Sequence, residues 1–173
     1  MIRWMLAALL CLAGSALVAA APAPTKAPKP LLAQVQRMGE LLRDSSAVLV
    51  ADSTMVQFVR PRDGDELALV VFTVEGFGGG NSHTQYFAVF NAEKDAKGKS
   101  HFSLIDFLPI AGKGWRGIDN LNAKVTRNQK AGETFMAIDA LEVAGNDAPN
   151  FPSQKVTINL VLRDGRLFEQ KLR

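Results

Sequence analysis

The residues of this chain that could do chemistry are few, and its only histidines are His83 and His101. Together with Asp106 they could form a two-histidine, one-carboxylate metal site, but a three-histidine zinc site is excluded and no HExxH-type spacing is present. If segments 84–90 and 102–108 pair as a hairpin, we expect both histidines at the same end of the strands. We interpret them as strand-end histidines and predict no metal site and no cofactor.

Serine and carboxylate chemistry is equally weakly indicated. Ser82 precedes one histidine and Ser100 the other, but neighbours on a strand point to opposite faces, and no Gly-x-Ser-x-Gly motif is present. Asp106 and Asp139 each interrupt an apolar strand face, where a carboxylate costs free energy unless it is paired. We predict structural ion pairs and no catalytic residue. The alternative is a small hydrolase of envelope material that uses His101, Asp106 or Asp139 for acid–base catalysis.

The segment Ala111–Gly117 carries the strongest binding signal. Its glycines flank Lys113, Trp115 and Arg116, and Trp115 is the only tryptophan after residue 21. Tryptophan and arginine dominate the energetics of protein interfaces. This pattern predicts a recognition loop, although Trp115 could instead fold inward and cap the core.

A second glycine-rich segment, Gly76–Ser82, is not a phosphate-binding loop, because a strand rather than a helix follows its glycines. We predict a flexible hairpin connection. The functional alternative is a mobile loop that closes over a partner, with Phe77 as its apolar tip. The candidate binding residues are therefore Trp115, Arg116, Lys113, Phe77 and His83.

The N-terminus has the layout of a cleavable secretory signal. Arg3 supplies the charge, Met5–Ala13 is an apolar run, and Ala19 and Ala21 occupy the A-x-A positions before cleavage. Residues 1–21 are thus a predicted signal peptide. The remaining chain is expected in the periplasm of a Gram-negative bacterium or secreted from it.

Two membrane alternatives are weaker. Trp4–Ala21 has no charge and could be an uncleaved anchor, but at 18 residues it lies close to the lower limit for a bilayer span. Cys11 lacks the small preceding residue that a lipoprotein signal needs. We expect no stable membrane insertion after cleavage.

Charge and cysteine content exclude some classes of partner and site. The net charge is +3, but three of the 20 Lys and Arg precede Leu31, so that 17 of them face 17 Asp and Glu in the rest. A neutral domain without a basic face argues against nucleic acid. With no cysteine after residue 21, disulfides and thiolate zinc sites are excluded there.

Segment 22–30 is a Pro/Ala-rich linker, and 31–173 forms one domain. Helical spacing over Leu31–Arg43 is followed by short β segments. The predicted fold is mainly β (α+β): an antiparallel meander sheet, half-barrel or sandwich with one N-terminal helix packed on it. The predicted strand segments are Val48–Val50 and Met55–Val59, separated by an Asp52-Ser53 turn, then Leu67–Val74, Tyr86–Phe90, Phe102–Leu108, Leu121–Val125, Phe135–Val143 and the hairpin Val156–Leu172 around Asp164-Gly165.

Three segments, Gly78–Asn91, Ile110–Ile118 and Pro152–Leu172, resemble small uncharacterised exported bacterial β-rich domains. The resemblance covers most of residues 66–172 and implies a fold without assigned site residues. We expect an exported, non-catalytic binding domain of the cell envelope whose partner is a protein or a glycan.

Overall fold

The computed structural model describes residues 27–62 and 64–170. The predicted signal peptide and most of the predicted linker lie outside these residues. The described part contains one helix, α1 (Lys29–Leu42), and nine strands. The strands are β1 (Val48–Arg62), β2 (Asp65–Phe77), β3 (Ser82–Lys94), β4 (Ser100–Gly112), β5 (Arg116–Gly117), β6 (Lys124–Asn128), β7 (Glu133–Glu142), β8 (Gln154–Arg163) and β9 (Arg166–Gln170).

The strands form one open antiparallel sheet in the order β1-β2-β3-β4-β5-β7-β8-β9, with β6 paired to β7 beside β5. The prediction of a mainly β fold with one helix is confirmed. The continuity of the sheet depends on β5, which joins β4 through the single pair Gly112 and Arg116. Strands β1–β4 form one half of the sheet and β5–β9 the other.

Two apolar clusters give the fold three layers. The inner cluster lies between the two halves of the sheet, and the helix-side cluster lies between α1 and the opposite face of β1–β4. Along β2, Leu67, Leu69 and Val71 belong to the inner cluster. Their neighbours Ala68 and Val70 belong to the helix-side cluster. The expectation that β2 is covered on both faces is confirmed, as its alternating side chains require.

Helix α1 begins at Lys29, two residues before the expected Leu31, because Pro30 fits the first turn of a helix. The predicted apolar stripe, with Leu31 and Val35, is buried. Packing explains why position 39 is a glycine, since an added Cβ would lie only 2.9 Å from Cβ of Leu49. With 14 residues in α1, the described ranges hold no helix long and apolar enough to cross a membrane.

The predicted turn at Asp52-Ser53 is wrong, because both residues lie within β1. The pairing of β1 with β2 shifts register between Val50 and Met55, so the polar residues form a bulge. The hydroxyl of Ser53 donates to the carbonyl of Val50 at 2.9 Å and stabilises the irregular backbone. Polar residues interrupt an apolar segment in the same way at a bulge and at a turn, so the sequence alone does not distinguish the two.

Two other boundaries differ from expectation. Strand β4 continues through Gly112, which shortens the predicted loop after Ile110. Strand β6 begins at Lys124 rather than at Leu121, because residues 118–123 leave the ladder. The C-terminal hairpin is confirmed, and its turn has φ of 51° at Asp164 and 72° at Gly165.

Candidate functional site

Three connections meet at one end of the fold, which we call the loop end. They are the β2–β3 turn (78–81), the β4–β5 turn (113–115) and the β7–β8 connection (143–153). The glycines of the first confirm the predicted hairpin turn. Backbone hydrogen bonds join the other two: the N–H of Gly114 donates to the carbonyl of Pro149, and the N–H of Val143 donates to that of Trp115, both at 2.8 Å.

Trp115 lies on the outer surface of the loop end with 39% of its area exposed. One side of its ring contacts the guanidinium of Arg116, whose Cζ lies 4.0 Å from the ring centroid. Trp115 thus covers a buried cation and also presents apolar surface to solvent.

Arg116 is only 6% exposed and holds the turn to the distant strand β9. Its two terminal nitrogens donate to the carboxylate of Glu169 at 2.8 and 2.6 Å, and its Nε donates to the carbonyl of Ile110. A partly buried bidentate pair of this kind fixes the position of a loop. Arg116 supports Trp115 from below and offers no charge at the surface.

Lys113, Phe77 and His83 occupy different positions around Trp115. The Lys113 ammonium donates to the side-chain oxygen of Asn81, which ties two of the connections together. Phe77 packs against the helix-side cluster, so the prediction of an exposed apolar tip there is wrong. His83 is half-buried, and its carbonyl accepts from the N–H of Lys113 at 3.2 Å.

His83 lines a pocket of about 120 Å³ between the β4–β5 turn and the β7–β8 connection. Gln85, Pro149, Asn150 and Pro152 contribute to its walls. The pocket is small, and His83 shares it with residues of the β7–β8 connection.

Phe151 is 75% exposed and lies in the same β7–β8 connection. Phe151 is not among the binding residues that the sequence predicts, although the flanking Pro149 and Pro152 mark a stiff loop. The structure thus adds a second exposed aromatic side chain to the loop end.

Asp147 organises this connection. Its Oδ2 accepts from the N–H groups of Ala144 at 3.0 Å and Ser153 at 2.9 Å, and its Oδ1 accepts from the Ser153 hydroxyl at 2.9 Å. These hydrogen bonds, with that from Ala144 first, lower the pKa of Asp147. The ionised carboxylate therefore holds the connection in one conformation at neutral pH.

A larger groove of about 580 Å³ lies beside the loop end, where the sheet has a gap. Gly117 pairs with Leu141 and Lys124 pairs with Ala137, so six residues (118–123) stand opposite three residues of β7. The longer segment bends away from β7 and forms one wall. The groove lining comprises Gly117, Asp119, Asn120, Asn122, Asp139, Ala140, Leu141, Lys155, Val156 and Thr157.

Two glutamines hold this wall in place. The Gln85 amide donates to the carbonyl of Ile118 at 3.0 Å and accepts from its N–H at 2.8 Å. The Gln57 amide forms the same pair with Ala123, at 3.0 and 2.7 Å. Each amide substitutes for one residue of a neighbouring strand, so segment 118–123 is fixed at both ends without a ladder.

The two histidines are not neighbours, and the expectation that they share one end of the strand pair is wrong. His83 precedes Thr84, which pairs with Gly112, whereas His101 pairs with Glu93 beside the β3–β4 turn. In an antiparallel pair, a residue at the start of one strand and a residue at the start of the next lie at opposite ends. About ten residues along β3 separate them, or roughly 30 Å.

The two singled-out carboxylates also lie apart. Oδ2 of Asp106 accepts from the N–H of Leu167 at 2.8 Å, and its Oδ1 lies 3.9 Å from Arg166, so it joins β4 to β9 as a structural partner. Asp139 is exposed in the groove. His101 lies 3.3 Å from Asp95 in an exposed turn. Among the described residues, no group of three or more histidine, cysteine or acidic side chains could hold a metal ion.

Comparison of the chain with protein-family models, curated proteins and solved structures finds no match. The resemblance to small exported bacterial domains stays a prediction.

Proposed function

We propose that this protein is an exported, non-catalytic binding module of the bacterial cell envelope and that its loop end recognises an envelope component. One observation carries the proposal: Trp115 and Phe151 are exposed on two connections that backbone hydrogen bonds hold together. The proposed location depends on the signal-like pattern of residues 1–21.

Rigidity supports a binding role for these aromatic side chains. Arg116 fixes one connection to β9, and Asp147 fixes the other through Ala144 and Ser153. A preorganised surface loses less conformational entropy on binding than a mobile one. Tryptophan is among the residues that most often dominate a binding interface, and phenylalanine is enriched at interface cores.

The hydrolase alternative receives less support. His101, Asp106 and Asp139 would have to meet around a substrate, and the structure places them in a β3–β4 turn contact, a β4–β9 contact and the groove. A carboxylate that accepts a backbone N–H to join two strands has a structural role. The binding module is therefore the function that the geometry favours.

Sedimentation of the purified domain with isolated Gram-negative envelope fragments tests the proposal. Phe151→Ala and Trp115→Ala should each weaken binding about 30-fold, because truncation of a dominant aromatic contact costs about 2 kcal/mol. Phe168→Ala is the matched control, since Phe168 is a 46% exposed phenylalanine on β9, outside the loop end.

Phe151→Ala is the decisive variant, because Trp115 also covers Arg116 and its loss could disturb the fold. Circular dichroism should show an unchanged spectrum for Phe151→Ala. If folded Phe151→Ala and Trp115→Ala sediment like the unmodified domain, the proposal is overturned. It is also overturned if the unmodified domain does not sediment with the fragments.

A further inference from the structure

We propose that the groove between segment 118–123 and strands β7 and β8 binds a neutral glycan chain. This inference deepens the proposed function and depends on it for the envelope setting. It names the ligand class and a site next to the loop end, with Gly117 lining both the groove and the small pocket of His83.

The size and shape of the groove suit a small ligand. Its volume of about 580 Å³ lies within the range of roughly 300–1,000 Å³ that is typical of small-molecule sites. The gap in the sheet spans only residues 138–140 of β7. A gap of three residues is too short for an added peptide strand, so side chains must provide most of the contacts.

Six exposed polar side chains converge on this groove. Within the part of the chain that the structure describes, none of them makes a side-chain hydrogen bond or ion pair. They are Asp119, Asn120, Asn122, Asp139, Lys155 and Thr157. Other exposed charges do pair, such as Arg60 with Glu66 at 2.7 Å. The hydrogen-bonding capacity of the groove is therefore available to a ligand.

The backbone that carries these side chains is also held in a fixed position. Asp139 lies directly opposite Thr157 in the β7–β8 ladder, which supplies one wall. Gln57 and Gln85 fix the two ends of the other wall. Polar groups on rigid elements select a ligand by geometry rather than adapting to it.

The mixture of groups selects the ligand chemistry. Asp119 and Asp139 would repel a phosphate or a carboxylate, and Lys155 would repel a metal ion. An apolar ligand would leave these polar groups without partners. Asparagine, lysine and threonine donate, while asparagine, aspartate and threonine accept. A sugar hydroxyl does both, so a chain of neutral sugars fits this mixture of donors and acceptors.

The test uses ¹⁵N–¹H NMR spectra of the purified domain with four probes: maltotetraose, tetra-N-acetylchitotetraose, a hyaluronate tetrasaccharide and tetra-alanine. Each probe is added at about 10 mM, which detects millimolar affinity. A neutral tetrasaccharide should shift the amide signals of 117–122, 139–141 and 155–157. Asp139→Ala and Asn122→Ala should each weaken this binding about tenfold, as expected for the loss of a hydrogen bond to the ligand. Asp52→Ala is the matched control, because Asp52 is an exposed strand aspartate outside the groove.

The outcomes separate this inference from the proposed function. If neither neutral tetrasaccharide shifts the groove signals, or if hyaluronate or tetra-alanine shifts them more, the glycan assignment is overturned. Loss of envelope binding in Phe151→Ala would still support the loop end in that case. Conversely, neutral-sugar shifts that Asp139→Ala removes would support the groove even if Phe151→Ala and Trp115→Ala sedimented normally.

Discussion

The side-chain amide of Gln57 and the backbone of Ala123, 66 residues apart in the sequence, exchange two hydrogen bonds. The pair reproduces the contact that one residue makes with its neighbour in an antiparallel ladder. It connects β1 to the start of β6, where the two halves of the sheet come together without pairing. A side chain thus closes a boundary that the backbone leaves open.

Gln57→Ala should lower the free energy of unfolding by about 1–3 kcal/mol, because it leaves the N–H and carbonyl of buried Ala123 without partners. Gln85→Ala should have a similar effect through Ile118. Urea denaturation followed by circular dichroism measures both. Gln154→Ala, which removes an exposed strand glutamine, should leave the denaturation midpoint unchanged. Equal midpoints for all three variants would contradict the role of the two amides.

Arg116→Met should destabilise the domain by about 1–3 kcal/mol, because it removes the bidentate hydrogen bonds to Glu169 and leaves the buried carbonyl of Ile110 without the Nε donor. The double variant Arg116→Met/Glu169→Met should regain part of that loss, since two apolar side chains need no charge compensation. Thermal unfolding of the single and double variants gives the coupling. Additive effects would argue against an energetic link between the two residues.

Asp147→Asn should destabilise the domain at neutral pH, and this difference should disappear in acid. Hydrogen bonds from Ala144 and Ser153 lower the pKa of Asp147 in the folded state. The stabilisation is therefore complete above the unfolded carboxyl pKa of about 3.9 and is lost as the pH falls through the folded value. Urea midpoints of both proteins between about pH 7 and 3 measure the convergence. A difference between the two urea midpoints that stayed constant down to the lowest pH would contradict a stabilising role of the ionised Asp147 carboxylate.

Gly112→Ala should destabilise the loop end by about 1–3 kcal/mol, the usual cost of overpacking. Its added Cβ would lie 2.8 Å from the carbonyl oxygen of His83, a backbone atom that cannot move without disturbing β3. Gly80→Ala is the matched control, because the nearest atom to its Cβ is the Phe77 carbonyl oxygen at an ordinary 3.7 Å. Thermal melts should separate the two variants, and equal melting temperatures would refute the steric argument.

Local sequence patterns predict much of this fold correctly. The stripe of Leu31 and Val35, the double burial of β2 and the Asp164-Gly165 hairpin are all confirmed. Each depends on short-range periodicity or turn chemistry. The Asp52-Ser53 error has the same origin, since polar residues within a strand look like a turn unless the register of the partner strand is known.

The candidate site was predicted less completely because it depends on long-range pairing. The sequence leaves open whether Trp115 is exposed or caps the core, and the structure places it at the surface with 39% of its area exposed. Phe151 joins it only through contacts between two connections. The groove exists because six residues stand opposite three in β7, which no single segment reveals. The burial of Arg116 follows from Glu169, 53 residues further along the chain.

Pro28, near the start of the described chain, lies at the opposite end of the fold from the loop end. Pro28 lines a pocket together with Lys94 and Ser100, beside the β3–β4 turn. Trp115 lies in the β4–β5 turn, which follows the opposite end of β4. A label, a resin or a membrane tether joined ahead of Pro28 would hold the domain at the end of the fold that carries the β3–β4 turn. The loop end, with Trp115 and Phe151, would then face away from the attachment point and stay accessible to a partner.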